Sequence, residues 1–339
     1  MRGPTIDRHS SLAGLQEKLE ESLCHIYPPH SDRLRQPEQV NTEYFQSAFF
    51  LTNNGKFVAR AILYHNPGIS LEGAESLLVG NFESVNDKGY AAQLLARIES
   101  EAQKRGAAWL IGPMDGSTWD SYRFTVKAIQ PFFLEPVHPL YYHELFADYG
   151  FKKIRPYISC RVDVTDTPDD AHERIGKFLE EKEISLRPID LDHYEQELDR
   201  IHAFTLEAFA TNFLFSPINR EAFKQKYRKV KAMMHPTFTL LAQDSGHRLV
   251  GCIFCVDDLQ NEKEKTLIIK SIARHPDPRW KGLGRLLTSY IHQKAQAAGY
   301  RAVIHAFMDG EGYSRPISAT FAEEVINEYA LYAKKIKCP

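Results

Sequence analysis

The sequence predicts an α/β (α+β) protein built as two successive units on one plan. An order of hairpin, strand, loop, helix and strand occurs twice along the chain. In its second occurrence the loop is the basic, glycine-bearing run Arg279-Trp280-Lys281-Gly282-Leu283-Gly284. Size agrees, because 339 residues exceed what one hydrophobic core usually organises and suit two domains.

The elements follow from local patterning. Residues 13–24 read as a short helix, and a proline- and charge-rich stretch follows from Pro28 to Pro37. The apolar runs 49–52 and 57–63 flank Asn53-Asn54-Gly55, a hairpin signal because Asn-Gly accepts positive φ in tight turns. A strand at 76–82 leads to a helix near 88–105, where Ala92, Leu95, Ile98 and Ala102 form an apolar stripe at helical spacing. Gly106 stops that helix and 108–111 begins a new strand. The first unit is assigned to residues 1–165 and a polar linker to 166–182. The second unit, 183–339, opens with a strand at 184–190, and helices follow over 191–210 and near 220–233. Strands at 238–242, 248–256 and 265–273 come next, then the glycine loop, a helix over 283–298, Gly299, and a strand at 301–307. A helix from Ser314 through Phe321 and a closing strand over 326–335, expected on the acceptor side, complete it.

Composition narrows the function classes. The 42 basic and 44 acidic residues leave a net charge of −2, which gives no field arguing for a nucleic-acid or membrane partner. No apolar run of about 18 residues is present, and the first residues lack a signal-peptide core; the expectation is a cytoplasmic protein. The scattered Cys24, Cys160, Cys252, Cys255 and Cys338 suit a reducing compartment. Cys252 and Cys255 form a C-x-x-C inside an apolar strand, so their thiols point to opposite faces and cannot share a metal. No metal site is expected.

The loop at 279–284 carries the chemistry. Its glycines let the backbone approach a phosphate, and the helix starting there offers unpaired N–H groups and a positive dipole end. Arg279, Lys281 and Arg285 add positive charge beside those amides. A Walker loop requires Gly-Lys-Ser/Thr where Gly284 is followed by Arg285-Leu286, and a dinucleotide fingerprint requires a third glycine where Leu287 stands. The remaining pattern, R/Q-x-x-G-x-G/A, resembles motif A of the GNAT superfamily of N-acetyltransferases. Ile272-Ala273-Arg274-His275-Pro276 resembles the strand end before that motif, and Gly299 the stop before the next strand. The resemblance covers about 183–336 and, with weaker motifs, about 45–163.

The resemblance implies two tandem GNAT-like domains, each a mixed, splayed β-sheet flanked by helices, the first degenerate. It implies acetyl-CoA as co-substrate, lying in the V-shaped gap of the second sheet. Ile272, Ala273 and Arg274 would hold the pantetheine arm through main chain, and Arg279, Trp280, Lys281, Gly282, Leu283, Gly284 and Arg285 the pyrophosphate. In the first half the equivalent segment, 83–90, has one glycine together with Glu83 and Asp87, and carboxylates repel a pyrophosphate. Yet Tyr141 to Phe151 resembles the segment that closes a GNAT domain, and Ile111 to Thr118 a strand exit of tandem members. That half either completes the architecture as a scaffold or walls the acceptor site with Trp119, Tyr122 and Arg123.

Acyl transfer to an amine requires proton removal from the amine, stabilisation of the thioester oxygen and protonation of the departing thiolate. The glutamate that many members carry on the strand before the loop is absent; Ile268, Lys270 and Ser271 occupy that stretch. His305, Glu311, Asp257 and Asp258 are the alternatives for a base, with a packed core histidine as the plainer reading of His305. Phe321 stands where the family places an acidic tyrosine, which leaves Tyr313 or solvent as the acid. The leading expectation is an N-acetyltransferase acting by direct transfer on a primary amine of a small molecule, as a monomer or homodimer. A non-catalytic acyl-CoA-binding or sensing module and a protein-lysine acylase are the alternatives.

Overall fold

The computed structural model describes residues 3–164, 171–321 and 323–337. Its first half begins with β1 (Thr5–His9), α1 (Leu15–Ile26) and the hairpin β2 (Phe45–Asn53) and β3 (Lys56–Tyr64). Asn54 and Gly55 turn that hairpin at φ 49° and 76°, the two positive dihedrals expected of Asn-Gly. Then come β4 (Ser70–Leu71), β5 (Ala74–Ser84), α2 (Lys88–Lys104), β6 (Trp109–Gly112), β7 (Phe124–Ala128), α3 (Tyr142–Asp148) and β8 (Lys152–Asp163). The second half runs α4 (Ala171–Glu181), β9 (Ser185–Pro188), α5 (Tyr194–Ala208), α6 (Arg220–Arg228), β10 (Leu240–Gln243), β11 (Leu249–Asp257) and β12 (Thr266–Arg274). It ends with α7 (Leu283–Ala297), β13 (Ala302–Asp309), α8 (Ser314–Ser318) and β14 (Glu323–Lys335).

The repeated order is therefore real: β2-β3-β5-α2-β6 in one half matches β10-β11-β12-α7-β13 in the other. The halves do not form separate sheets. Among the described residues they share one 14-stranded sheet in the order β1-β2-β3-β5-β6-β14-β8-β13-β12-β11-β10-β9, with β4 and β7 off this path. The fusion comes from an exchange of closing strands. Strand β14 lies antiparallel to β6, with Tyr332 opposite Gly112, while β8 lies antiparallel to β13, with Cys160 opposite His305. The two exchanged strands pair with each other from Glu323↔Val162 to Ala333↔Lys152. Each thus covers an edge that the other half would leave open. The closing strand of the second half is separated from β13 by β8, a placement the linear order of elements did not indicate.

One correction concerns the expected linker at 166–182. Residues 165–170 lie outside the described residues, but 171–181 form α4. Ile175, Phe178 and Leu179 of α4 join the apolar cluster that holds Leu283, Leu286 and Leu287 of α7. Their i, i+3, i+4 spacing is a helical stripe, masked in the sequence by the surrounding acids.

Two features shape the middle of the second half-sheet. Strands β12 and β13 run parallel from Thr266↔Ala302 to Ile269↔His305, and no rung follows. On the other side of β12 the register with β11 jumps from Phe254↔Ser271 to Cys255↔Ile269, which leaves Lys270 as the extra residue of a β-bulge. A bulge bends its strand and sharpens local twist, so β12 peels away from β13 beyond Lys270. Strand β13 bends at the same level. Its pairing with β8 is interrupted between His305 and Met308, where Phe307 adopts φ 55°, a left-handed conformation unfavourable for a bulky residue.

Candidate acyl-transfer site

The glycine loop stands beside the splay. Gly282 precedes α7 with φ 97° and no side chain caps the helix. The amides of Gly282, Leu283, Gly284 and Arg285 have no acceptor among the described residues. Four unpaired N–H groups at a helix start, with the dipole behind them, form an anion cradle. Lys281 and Arg285 are exposed beside it. Arg279 is less available than its sequence position implied. Its guanidinium is held by Asp277 at 2.8 Å, and that pairing pushes the Asp277 carboxyl down to about 2. Trp280 is buried and packs with α7 rather than facing a ligand. Arg274 folds back, donating to the carbonyls of His275 at 2.7 Å and Asp277 at 3.2 Å. On the β13 side, the β12 backbone from Lys270 to Arg274 is unpaired among the described residues, which leaves Ile272, Ala273 and Arg274 main chain available to an extended ligand.

The equivalent place in the first half differs in every respect that matters. Asp87 caps α2, its Oδ1 accepting from the Gly89 amide at 2.8 Å and the Tyr90 amide at 3.0 Å, so the amides a phosphate would need are already engaged. The notch between β5 and β6 is filled by the chain itself: the Met114 amide donates to Val79 at 2.9 Å and Asp115 Oδ1 accepts from the Asn81 amide at 2.6 Å. Glu83 does not face the loop. It is buried with Arg33 at 2.7 Å and Arg60 at 3.8 Å, and it accepts from the Tyr142 hydroxyl at 2.8 Å. The residues read as repelling a cofactor are a helix cap and part of a buried ion network.

The three proton-transfer residues chosen from sequence do not form one cluster. His305 lies on the last paired rung before the splay and is buried. Its Nε2 meets His292 Nε2 at 2.9 Å and its Nδ1 meets Ser318 Oγ at 2.7 Å; Ser318 in turn donates to Glu323. Burial pushes His305 down to about 4 and His292 well below its ordinary value, helped by the neighbouring His305. Burial thus favours the neutral form of both rings near pH 7. Phe321 stacks on His292 with centroids 4.4 Å apart, so the phenylalanine in the tyrosine's place closes this apolar nest. Glu311 is exposed and bound by Arg155, whose other partner is Asp309 at 2.8 Å. Tyr313 is 82% exposed just before α8, and its hydroxyl has no hydrogen-bond partner among the described residues.

Side chains of the first half reach the second half near the splay. Trp119 donates from Nε1 to the Ser216 carbonyl at 2.9 Å and its ring lies among Phe209, Phe215 and Phe223. Arg123 donates to the Phe307 carbonyl at 3.1 Å, with its guanidinium 4.0 Å from the Tyr122 ring centre and 4.6 Å from that of Tyr157. Lys226 of α6 pairs with Asp120 at 2.9 Å. Sequence reasoning named Trp119, Tyr122 and Arg123 but missed Lys270, whose ammonium sits 4.2 Å from the Phe307 ring centre. The signal was present, a lysine in an otherwise apolar strand.

Elsewhere, Cys252 and Cys255 join different apolar clusters on β11, and burial pushes the Cys252 thiol up to about 12. Among the described residues no group of three potential ligands is placed to hold a metal, and no helix is long and apolar enough to cross a membrane.

An uncapped glycine-loop helix stands beside a splayed mixed sheet, an arrangement with room for an anion at the helix start and an extended ligand along β12. Residues 203–312 match the acetyltransferase (GNAT) family model, which marks this part of the chain as a GNAT domain. A curated relative, the bacterial ceramide synthase of Caulobacter vibrioides (strain NA1000 / CB15N), is 22% identical over 212 residues, 61% of this chain. The chain spans about half of that relative, 55% of its length. Among solved structures, a tandem GNAT protein from the clavulanic acid biosynthesis pathway aligns over 98% of this chain and 99% of its own, with TM-score 0.53 and 12% identity. The glucosamine N-acetyltransferase region of a fungal multi-domain β-N-acetylglucosaminidase aligns over 98% of this chain and 38% of that one, with TM-score 0.58 and 11% identity. These likenesses concern the fold, which is that of tandem GNAT proteins.

Proposed function

We propose that the chain transfers an acyl group, acetyl in the simplest case, from CoA directly to a primary amine of a small molecule, with the reaction in the second half. The observation that carries this reading is the asymmetry of the two helix starts. The amides at Gly282 to Arg285 have no acceptor among the described residues, whereas those at Gly89 and Tyr90 are taken by Asp87. Lys281 and Arg285, with the amides of 282–285, would hold the pyrophosphate, and the main chain of 272–274 the pantetheine arm. Arg279 and Trp280 would shape the loop. Unpaired β12 amides would also stabilise the thioester oxygen as it gains charge. Tyr313, exposed and with no hydrogen-bond partner among the described residues, would offer its hydroxyl proton to the departing thiolate; His305 and Glu311 would act through their neighbours. The free thiols fit a cytoplasmic setting, and a monomer or homodimer is compatible with the reading.

The curated relative's name adds formation of an N-acylated long-chain product to the reactions worth testing. Thiol release is therefore followed with acetyl-CoA and palmitoyl-CoA, each against ethanolamine, serine and dodecylamine. The expected result is amine-dependent thiol release with at least one pair. Tight acetyl-CoA binding with no release in any pair favours the sensing module instead, a reading that the phenylalanine at 321 and the lack of a carboxylate on β12 support.

A further inference from the structure

We propose that Lys270 is the general base of the transfer, taking a proton from the acceptor amine at the mouth of the splay; the proposal rests on the acyl-transfer reading above. Lys270 is the extra residue of the β12 bulge, one position past the last β12–β13 rung, at the level where the sheet opens. It is a cation without a carboxylate partner among the described residues. Its neighbours are the Phe307 ring, 4.2 Å from Nζ, and two further cations, Arg123 and Lys226. Lys226 is already paired with Asp120, and Arg123 is occupied by the Phe307 carbonyl, Tyr122 and Tyr157.

Such surroundings disfavour an ammonium ion. Desolvation first, then Arg123 and Lys226, push Lys270 down to about 7. A partly neutral amine near pH 7 is a competent proton acceptor, since the best general base has a pKa near the working pH. The arrangement also accounts for the missing glutamate on this strand, because the base is present in another chemical form.

The step balances without any further reactant. Neutral Lys270 Nζ takes one proton from the acceptor R–NH3+. The freed nitrogen lone pair forms the C–N bond to the acyl carbon, the C–S bond breaks, and the thiolate takes a proton from Tyr313 or solvent, which the second nitrogen proton replaces. Lys270 then returns its proton to water. R–NH3+ and acyl-CoA have become the amide, CoA thiol and H+.

Two measurements on the full chain test this. Competitive labelling with acetic anhydride from pH 5.5 to 10, read by peptide mass spectrometry, should give Lys270 a half-point near 7, well below the surface lysines. A half-point shared with those lysines overturns the proposal. With whichever of ethanolamine, serine or dodecylamine supports turnover, K270R and K270Q should both lower kcat about 100-fold or more. Both should lose the acid limb near pH 7 while acetyl-CoA affinity stays within about twofold by calorimetry. If K270R keeps kcat and the limb while K270Q raises KM, Lys270 is a cation that binds the acceptor, and the base assignment falls. Wild-type protein that turns over none of these amines overturns the transfer reading and this proposal together; wild-type turnover with unchanged variants overturns this proposal alone.

Discussion

Arg123 of the first half donates its Nη1 hydrogen to the carbonyl of Phe307 in the second, at 3.1 Å. The carbonyl it holds belongs to the residue with φ 55° where β13 bends from β8, and the same guanidinium lies 5.1 Å from the Phe307 ring centre. One side chain therefore braces the wall of the splay from across the half-to-half boundary. The half in which Met114 and Asp115 fill the notch between β5 and β6 thus touches the bend of β13 in the other half.

Arg123→Gln should consequently impair transfer more than cofactor binding. A charge-assisted hydrogen bond and its stacking contribute about 1.5–3 kcal/mol, and glutamine keeps neither the planar cation nor its reach. The expected outcome is a fall in kcat/KM of roughly tenfold to a hundredfold, that energy range expressed as a rate, with acetyl-CoA affinity unchanged by calorimetry. Equal losses in both would mean that Arg123 supports the cofactor loop instead.

The two helix starts make a second prediction. Asp87→Ala removes the side chain that satisfies the Gly89 and Tyr90 amides and should lower stability by about 1 kcal/mol in urea denaturation. It should not create a second CoA site, because Met114 and Asp115 still fill the notch between β5 and β6. Stoichiometry by calorimetry should stay at one. On the other helix, Gly282 is a poor place for a charge-reversal test. Its φ of 97° and the Phe178 ring 3.2 Å from a would-be Cβ mean that any side chain strains the loop. Arg285→Glu, on an exposed side chain, tests the pyrophosphate assignment without that strain and should weaken CoA binding at least tenfold.

What the sequence disclosed and what it hid follow one physical rule. Periodicity and turn chemistry are local, so the hairpin at Asn54-Gly55, the stripe of α2, and the glycine loop before α7 were legible. The strand exchange was not, because nothing in the pattern of β8 or β14 distinguishes one neighbouring edge from another. The α4 helix was hidden by a polar composition that conceals Ile175, Phe178 and Leu179. Among site residues, the loop was readable from its glycines and charges, while the loss of Arg279 to Asp277 depended on side-chain geometry. Lys270 was not legible as a site residue, because its aromatic and cationic neighbours, Phe307, Arg123 and Lys226, come from distant parts of the chain.

The buried histidine pair predicts a pH dependence of stability. Burial holds the folded His305 near 4 and His292 well below its ordinary value, while the unfolded chain titrates near 6.5. Below about pH 6.5 the unfolded state binds more protons, so stability rises with pH in that range. It should be fully present above about 6.5 and lost as pH falls toward 4. At about 1.4 kcal/mol per unit, His305 alone contributes on the order of 3 kcal/mol across the window. Urea midpoints from pH 4.5 to 7.5 should show this slope, and a His292→Gln, His305→Gln double variant should flatten it. Asp115, pushed up to about 7 by burial, contributes a slope of opposite sign in both proteins, so the difference is decisive: a double variant with the same pH slope as the wild type would refute the neutral assignment of the pair.

The exchanged strands predict that the halves fold only together. Expressed alone, residues 171–339 would present the outer edge of β13 without β8 and leave β14 without β6, β7 and β8, which supply its neighbours. Buried Tyr329, Ala330, Leu331 and Ala333 of β14 would then face water, and unpaired edges of this kind invite aggregation. The expected behaviour of that fragment is insolubility or self-association by light scattering. Co-expression of residues 1–170 with residues 171–339 should instead yield a soluble one-to-one complex, because β8 and β14 then find the edges they cover. A monomeric, cooperatively unfolding 171–339 fragment that binds acetyl-CoA would show that β14 can find a partner within its own half. In that case the exchange would be a product of tethering rather than a requirement of the fold.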